Sequence, residues 1–426
     1  MIDFKALASK KKLEREGVPE RRLSLEQQHA VEVCCDLKNT IAGITGGAGT
    51  GKTLVLGHVY RQLVGLGIKT VLAAPTGRAA KRVQELTGIP AKTIHRLLEF
   101  PMPDDPDDTP VELMNEPRRN RMIPLEERVV IVDESSMIGP TLHGQLMDAL
   151  RKDGAIRFFG DNNQLPPVEE GTPPFIETLL KFPAVELMYN FRSDDAIVSN
   201  AMRILQSKIP FRNDRFVIIY DENPLAYMLN MTRGLKDFAD DSHQIIMPTR
   251  RGKYGTMRIN PSLQLRFNGK GPLLLLDRYD TKEPRLAVRK GDKFLWIKND
   301  YKLNMFNGEL GRISGLDAED GELTLKTSDR AADVIVPARL TTYSPYHKTV
   351  IQYDPRKQIE LGYAITTHKA QGSEFDTVIY CIARGHSWLL NKRNFYTAVT
   401  RAKNKVIIIS DKRAMGLSMG APRRSD

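Results

Sequence analysis

Lysine, threonine and four glycines stand together in Gly46-Gly47-Ala48-Gly49-Thr50-Gly51-Lys52-Thr53, which meets the pattern G-x-x-x-x-G-K-[ST] without a mismatch. Glycines let backbone N–H groups turn inward around phosphate oxygens, and the N-terminus of a following helix adds partial positive charge. Gly47, Ala48, Gly49, Thr50 and Gly51 are therefore expected to form a phosphate cradle. Lys52 is expected to reach the β- and γ-phosphates, and Thr53 to ligate Mg²⁺. The context agrees, because Thr40–Thr45 reads as a short buried strand. Leu54 to Leu63 carries apolar residues at helical spacing. The chain is expected to bind a nucleoside triphosphate.

Two further strands end in groups that suit phosphoryl transfer. Val129-Val130-Ile131-Val132 runs into Asp133-Glu134. In a phosphate-loop enzyme the first such carboxylate holds the metal shell and the next polarises the attacking water. Asp133 is thus the expected metal residue beside Thr53, and Glu134 the general base. Phe159-Gly160-Asp161-Asn162-Asn163-Gln164 ends a strand in a polar loop, where Gln164 could touch a γ-phosphate and report its loss.

The elements that must position these groups alternate. Short apolar strands at 40–45, 69–74, 128–132 and 156–160 are separated by helical stretches at 54–65, 78–87 and 141–151, as in a parallel sheet covered on both faces. A second parallel sheet is expected from about 185, with strands at 185–188, 243–247, 376–382 and 404–410. Residues 97–125, with four prolines in 101–110, are expected to form a hairpin-like excursion with an acidic tip. Residues 271–356 change to short alternating segments parted by turns such as Asn307-Gly308, the texture of an inserted β-barrel. The expected organisation is a basic lead-in at 1–22, a first α/β domain at 23–184, a second at 185–412 and a flexible tail at 413–426.

Composition sets bounds. A chain of 426 residues is too long for one ordinary core. Its 41% hydrophobic and 27% charged content suit a globular protein, and no apolar run approaches the roughly 18 residues that span a bilayer. The N-terminus lacks the apolar core of a signal peptide, and Cys34, Cys35 and Cys381 have no metal-ligand spacing. No membrane partner and a reducing cytoplasm are expected. The net charge of +11 suggests a polyanionic partner.

The order of motifs resembles a superfamily 1B DNA helicase, of the branch that includes RecD-like and phage Dda-like enzymes, from about Leu23 to Ile409. Leu23 to Val31 resembles the Q motif, which implies that Gln27 reads adenine. Ala74-Pro75-Thr76-Gly77-Arg78-Ala79-Ala80 resembles motif Ia, and Thr93-Ile94-His95-Arg96-Leu97-Leu98 motif Ib. Both imply a grip on single-stranded DNA. Asp133-Glu134 falls in motif II and Gln164 in motif III. Asn190-Phe191-Arg192-Ser193 resembles motif IV, where Phe191 would pack on the base and Arg192 reach the γ-phosphate. Ile365 to Phe375 resembles motif V and Tyr396 to Lys403 motif VI. These imply Gly372 and Glu374 at the nucleotide, Arg401 on the transferred phosphoryl group, and Thr367, His368 and Lys369 on DNA.

The resemblance implies two RecA-like parallel-sheet domains with a short insertion in the first and an SH3-like barrel in the second. The first insertion departs from the family, since its acidic-proline tip carries no family motif. Arg192 and Arg401 would come from one sheet and Lys52 from the other, so ATP with Mg²⁺ would bridge the domains and drive closure. The expected activity is ATP-dependent 5′→3′ unwinding of fork DNA, by a monomer, with single-strand-binding or replication proteins as candidate partners. Two alternatives use the same motor residues: an ATPase that strips nucleoprotein, and an RNA-directed superfamily 1 enzyme. Phosphate contacts are expected from Thr76, Thr93, Thr367 and Lys369. His95 and His368 are candidates in the DNA-facing motifs, Phe100 is a candidate wedge, and Trp296 is expected in the barrel core.

Overall fold

Two parallel sheets, each covered by helices, frame the chain. In the computed structural model the described residues are 23–100, 116–167, 169, 171–191, 196–232, 242–277, 286–300, 302–327, 332–344, 349–386 and 388–420. The readings placed on residues 1–22, on the acidic tip at 101–110 and on Arg192 and Ser193 lie outside them.

The first sheet contains β1 (Ile41–Gly46), β2 (Thr70–Ala74), β3 (Ala91–Thr93), β4 (Val129–Val132), β5 (Ala155–Gly160) and β6 (Ala184–Leu187), in the order β3-β2-β4-β5-β1-β6. All its pairs are parallel, with Ile41 opposite Ile156 and Val129 opposite Ala155. Alternation along β4 shows why the strand is continuously apolar. Val129 and Ile131 enter one core with Val55, Leu56 and Val59, whereas Val130 and Val132 enter another with Ile94 and Leu146. Each such buried side chain contributes about 1.5–3 kcal/mol relative to exposure.

The second sheet contains β7 (Phe216–Tyr220), β8 (His243–Met247), β18 (Ala364–Thr366), β19 (Phe375–Ile382) and β20 (Ala402–Ser410), in the order β18-β8-β19-β20-β7, again wholly parallel. Two expectations change here. The strand near 185 pairs with β1, so it closes the first sheet and does not open the second. The tail is not free from 413: Asp411 accepts a hydrogen bond from the Ala414 N–H and starts a helix at Lys412–Ser418, whose Met415 and Leu417 join the second core.

Between β8 and β18 the chain forms the antiparallel strands β9 (Leu273–Asp277), β10 (Leu286–Arg289), β11 (Lys293–Trp296), β12 (Leu310–Leu316), β13 (Leu323–Thr327), β14 (Val334–Val336), β15 (Leu340–Ser344), β16 (Thr349–Tyr353) and β17 (Ile359–Leu361). Five of them form a sheet in the order β14-β13-β12-β11-β17, and β9/β10 and β15/β16 are separate hairpins. Trp296 is fully buried there with Phe294, Ile313 and Leu325.

Candidate nucleotide and nucleic-acid site

β1 delivers the phosphate loop. Gly49 and Gly51 have φ of +85° and +83°, a left-handed region that costs other residues about 1–2 kcal/mol. Their turn sends the chain into the helix Lys52–Gly65, whose N-terminus faces the loop. Lys52 Nζ lies across the loop, donating to Gly46 O at 2.7 Å and Gly47 O at 3.0 Å. Thr50 Oγ1 donates to Gly47 O at 2.9 Å. Thr53 is half-buried one residue beyond Lys52.

Gln27 sits underneath the loop. It is 1% exposed, its Nε2 donates to Thr50 O at 3.1 Å, and its Oε1 accepts from the Ser24 N–H at 3.0 Å. Both ends of the amide are thus engaged within the chain, in a capping box and a brace for the loop. Gln27, expected to read adenine, supports the loop in this structure. Asn190 Nδ2 donates to Ala48 O at 2.7 Å, and the Phe191 N–H to Gly49 O at 3.2 Å. These bonds hold an exposed aromatic pair, Tyr189 and Phe191, edge to face at 4.9 Å beside the loop.

Asp133 and Glu134 follow β4 as expected. Burial, and then the neighbouring Glu134 carboxylate, push the Asp133 carboxyl up to about 6, against the Glu134 N–H bond and the Lys52 and Arg82 charges. A carboxyl beside a second one is the kind of oxygen donor that a hard divalent cation accepts. Glu134 itself has φ of +51°, strain of the kind that collects at functional sites. Gln164 is buried, with Nε2 3.4 Å from Asp161 Oδ2 and with Oε1 lacking a hydrogen-bond partner. Asn162 Oδ1 in the same loop is likewise buried without one.

The second half of the chain meets this site through the helix Lys392–Val399. The Tyr396 hydroxyl donates to Asp161 Oδ2 at 2.8 Å and accepts from the Ala48 N–H at 3.3 Å. Thr397 Oγ1 accepts from the Leu165 N–H at 3.0 Å, and Gln371 Nε2 donates to Leu165 O at 3.1 Å. Arg401 is 5% exposed and turned into its own half, donating to Thr397 O at 3.1 Å and to Thr400 Oγ1 at 3.2 Å. Gly372 packs near Ala79, and Glu374 pairs with Arg82 at 2.6 Å. Glu374 therefore reaches the site through Arg82, whose charge favours the ionised form of Asp133. Tyr396, Thr397, Asp161 and Arg82 were not singled out by sequence reasoning; the motif strings contain all but Arg82, but give no sign of what each touches.

The residues expected on DNA divide. Thr76 is half-buried and caps the helix Gly77–Thr87, its Oγ1 accepting from the Ala79 N–H at 3.2 Å; Pro75 precedes it, also half-buried. Thr93 and Thr367 correct the expectation, because they are buried at 4% and 0% exposure. Thr93 caps the helix Ile94–Leu97, and Thr367 Oγ1 donates to Asn394 Oδ1 at 2.8 Å. The Asn304–Gly308 stretch between β11 and β12 lies against Gly77, Arg78, Arg96 and Lys369. Arg78 donates to Gly308 O at 3.0 Å, Arg96 to Asn304 Oδ1 at 2.7 Å, and Lys369 to Asn307. Gly77 faces the Phe306 ring so closely that a Cβ there would stand 2.2 Å from it. His95 packs against Phe100 with ring centroids 5.0 Å apart, and burial holds its basicity below the usual histidine range. Phe100 packs onto the core that holds Val130, Ile94 and Leu146. His368, also lowered by burial, lines an open cleft of about 650 Å³ with Leu165, Pro166, Leu390 and Lys392.

A phosphate loop on one parallel sheet, closed by residues of a second parallel sheet, defines a two-lobed P-loop NTPase. Residues 27–170 match the AAA domain family, and residues 361–409 the UvrD-like helicase C-terminal domain family. The ATP-dependent RecD2 DNA helicase of Deinococcus radiodurans is 30% identical over 395 residues, covering 92% of this chain and 49% of the relative. The RecBCD enzyme subunit RecD of Mycolicibacterium smegmatis is 28% identical, covering 90% of this chain and 70% of that one. The chain thus spans about half the length of the Deinococcus relative. Among solved structures, a Pif1 helicase associated with unwinding at forked duplex DNA superimposes with a TM-score of 0.59 at 22% identity, covering 95% of each chain. Pif1 from Bacteroides, in complex with ADP-AlF3 and single-stranded DNA, gives 0.56 at 21% identity and the same coverage. In sequence the chain is thus similar to RecD-type helicases, and in fold to Pif1 helicases. Among the described residues, no helix is long and apolar enough to cross a membrane.

Proposed function

We propose that the chain is an ATP-dependent DNA helicase that moves 5′→3′ along a single strand and opens the duplex ahead. The observation that carries this reading is the seam itself. The phosphate loop and the loop after β5 are bonded directly to the helix Lys392–Val399 of the other sheet, through Tyr396 and Thr397. A change at the phosphates therefore alters contacts between two rigid bodies, the requirement for a closure cycle.

Within that reading, Lys52 and the loop N–H groups bind the triphosphate, Tyr189 and Phe191 pack on the base, and Thr53 and Asp133 hold Mg²⁺. Bound Mg²⁺ supplies charge neutralisation on the β- and γ-oxygens. Glu134 orients and deprotonates the attacking water, Gln164 donates from Nε2 to the γ-phosphate, and Arg401 swings from Thr397 and Thr400 to the transferred group. The first domain runs from 23 through β6, and the second carries β9–β17 as an SH3-like barrel. The strand lies across Thr76, Arg78, Arg96, His368 and Lys369, so DNA displaces the Asn304–Gly308 loop from Arg78, Arg96 and Lys369. The 5′→3′ direction rests on likeness to the RecD-like branch. The enzyme works as a monomer in the cytoplasm, on fork DNA, alongside single-strand-binding or replication proteins.

The reading is tested by ATP turnover with and without single strands. Single-stranded DNA should raise turnover by about tenfold or more, as expected where closure completes the site. An equal response to single-stranded RNA would remove the DNA assignment, and no response to either would remove the motor.

A further inference from the structure

The Tyr396 hydroxyl makes two bonds that span the seam, one to a buried carboxylate and one to the phosphate loop. We propose that Tyr396 is a positioning residue that couples occupancy of the phosphate loop to the seam between the two halves, a role that rests on the ATP-driven reading above. Asp161 is 1% exposed, and Oδ1 takes the Asn163 N–H at 3.0 Å while Oδ2 takes Tyr396 at 2.8 Å. The phenol is thus the shortest side-chain bond to that carboxylate, and it comes from the other sheet. Its second partner, the Ala48 N–H at 3.3 Å, belongs to the cradle in which phosphate oxygens are to be held. A Cβ on Gly47 would stand 3.1 Å from the same hydroxyl, so phenol and loop are already in contact.

A phosphate oxygen carries charge and accepts a stronger hydrogen bond than a phenol does. It therefore takes the Ala48 N–H from Tyr396 and leaves the phenol attached to Asp161 alone. The shift passes along one short helix. Thr397, the next residue, holds the Leu165 N–H, and its own carbonyl at 3.1 Å is a partner of Arg401. Filling the loop thus loosens one end of the helix segment that restrains the arginine. Tyr396 touches no reacting atom; it acts through Ala48, Asp161 and the helix end.

The test is Tyr396→Phe in the full chain, which keeps the ring and removes the hydroxyl. Affinity for a fluorescent non-hydrolysable ATP analogue should tighten by about two- to tenfold, because a competing bond to Ala48 is gone. The kcat at saturating single-stranded DNA should fall by about tenfold or more, because the seam no longer responds. A packing defect would weaken both quantities, so the opposite signs separate the two explanations. Adding Asp161→Asn to Tyr396→Phe should lower kcat little further, as for residues acting as one unit. Weaker analogue binding, or a kcat within about twofold of wild type, would overturn the proposal. Should the wild type itself show no DNA-stimulated turnover, the motor reading fails separately, and the analogue affinities still report on the latch.

Discussion

Lys52→Ala is expected to cut ATP turnover to below about a tenth of wild type at saturating nucleotide, with single-strand binding largely retained. The ammonium lies within 3.0 Å of two loop carbonyls, so it is already at the mouth of the cradle and needs only a side-chain rotation to meet phosphate oxygens. No other side chain of the loop carries positive charge. Charge that builds on the γ-phosphoryl group in the transition state would lose its nearest fixed partner. The strand-facing candidates Arg78, Arg96 and Lys369 contact Gly308, Asn304 and Asn307 and make no bond to Lys52. Their grip on DNA should survive, which a fluorescence-anisotropy titration would show. Turnover above that level would remove the phosphate-loop assignment.

Arg401→Ala should lower kcat by roughly 10³-fold while nucleotide affinity falls much less. The planar guanidinium fork donates several bonds at once, which suits charge spread over equatorial phosphate oxygens. In this structure its donors are held by Thr397 O and Thr400 Oγ1. On the proposed reading those bonds are exchanged when the halves close. Because Arg401 is buried, the variant's thermal midpoint should be measured beside its kinetics. A raised KM with unchanged kcat would show that Arg401 only binds nucleotide.

Much of this could be read from local sequence. The phosphate loop, the strand ends at Asp133 and Gln164, and the swap from parallel to antiparallel texture after β8 are each written in a few adjacent residues. What could not be read depends on pairing at a distance. Ala184–Leu187 looks the same whether it joins the first or the second sheet, and only β1 decides. Tyr396 lies 348 residues from Ala48, and a tyrosine within a string gives no sign that its hydroxyl crosses to another lobe. Thr93 and Thr367 carry hydroxyls suited to phosphate, but helix capping and a buried bond to Asn394 use them locally. Gln27 shows the same competition, its amide taken by Ser24 and Thr50. The helix at Lys412–Ser418 was signalled by Asp411 at its start and was legible after all.

The proposed function requires that ATP turnover at the seam drive duplex opening. It is tested most directly by strand displacement on duplexes with either a 5′ or a 3′ single-stranded tail, in the presence of ATP and Mg²⁺. The 5′-tailed duplex should be opened by the wild type and by neither Lys52→Ala nor Arg401→Ala, with the 3′-tailed duplex left intact. Opening of the 5′-tailed duplex without hydrolysis, or no opening of either duplex, would contradict that requirement.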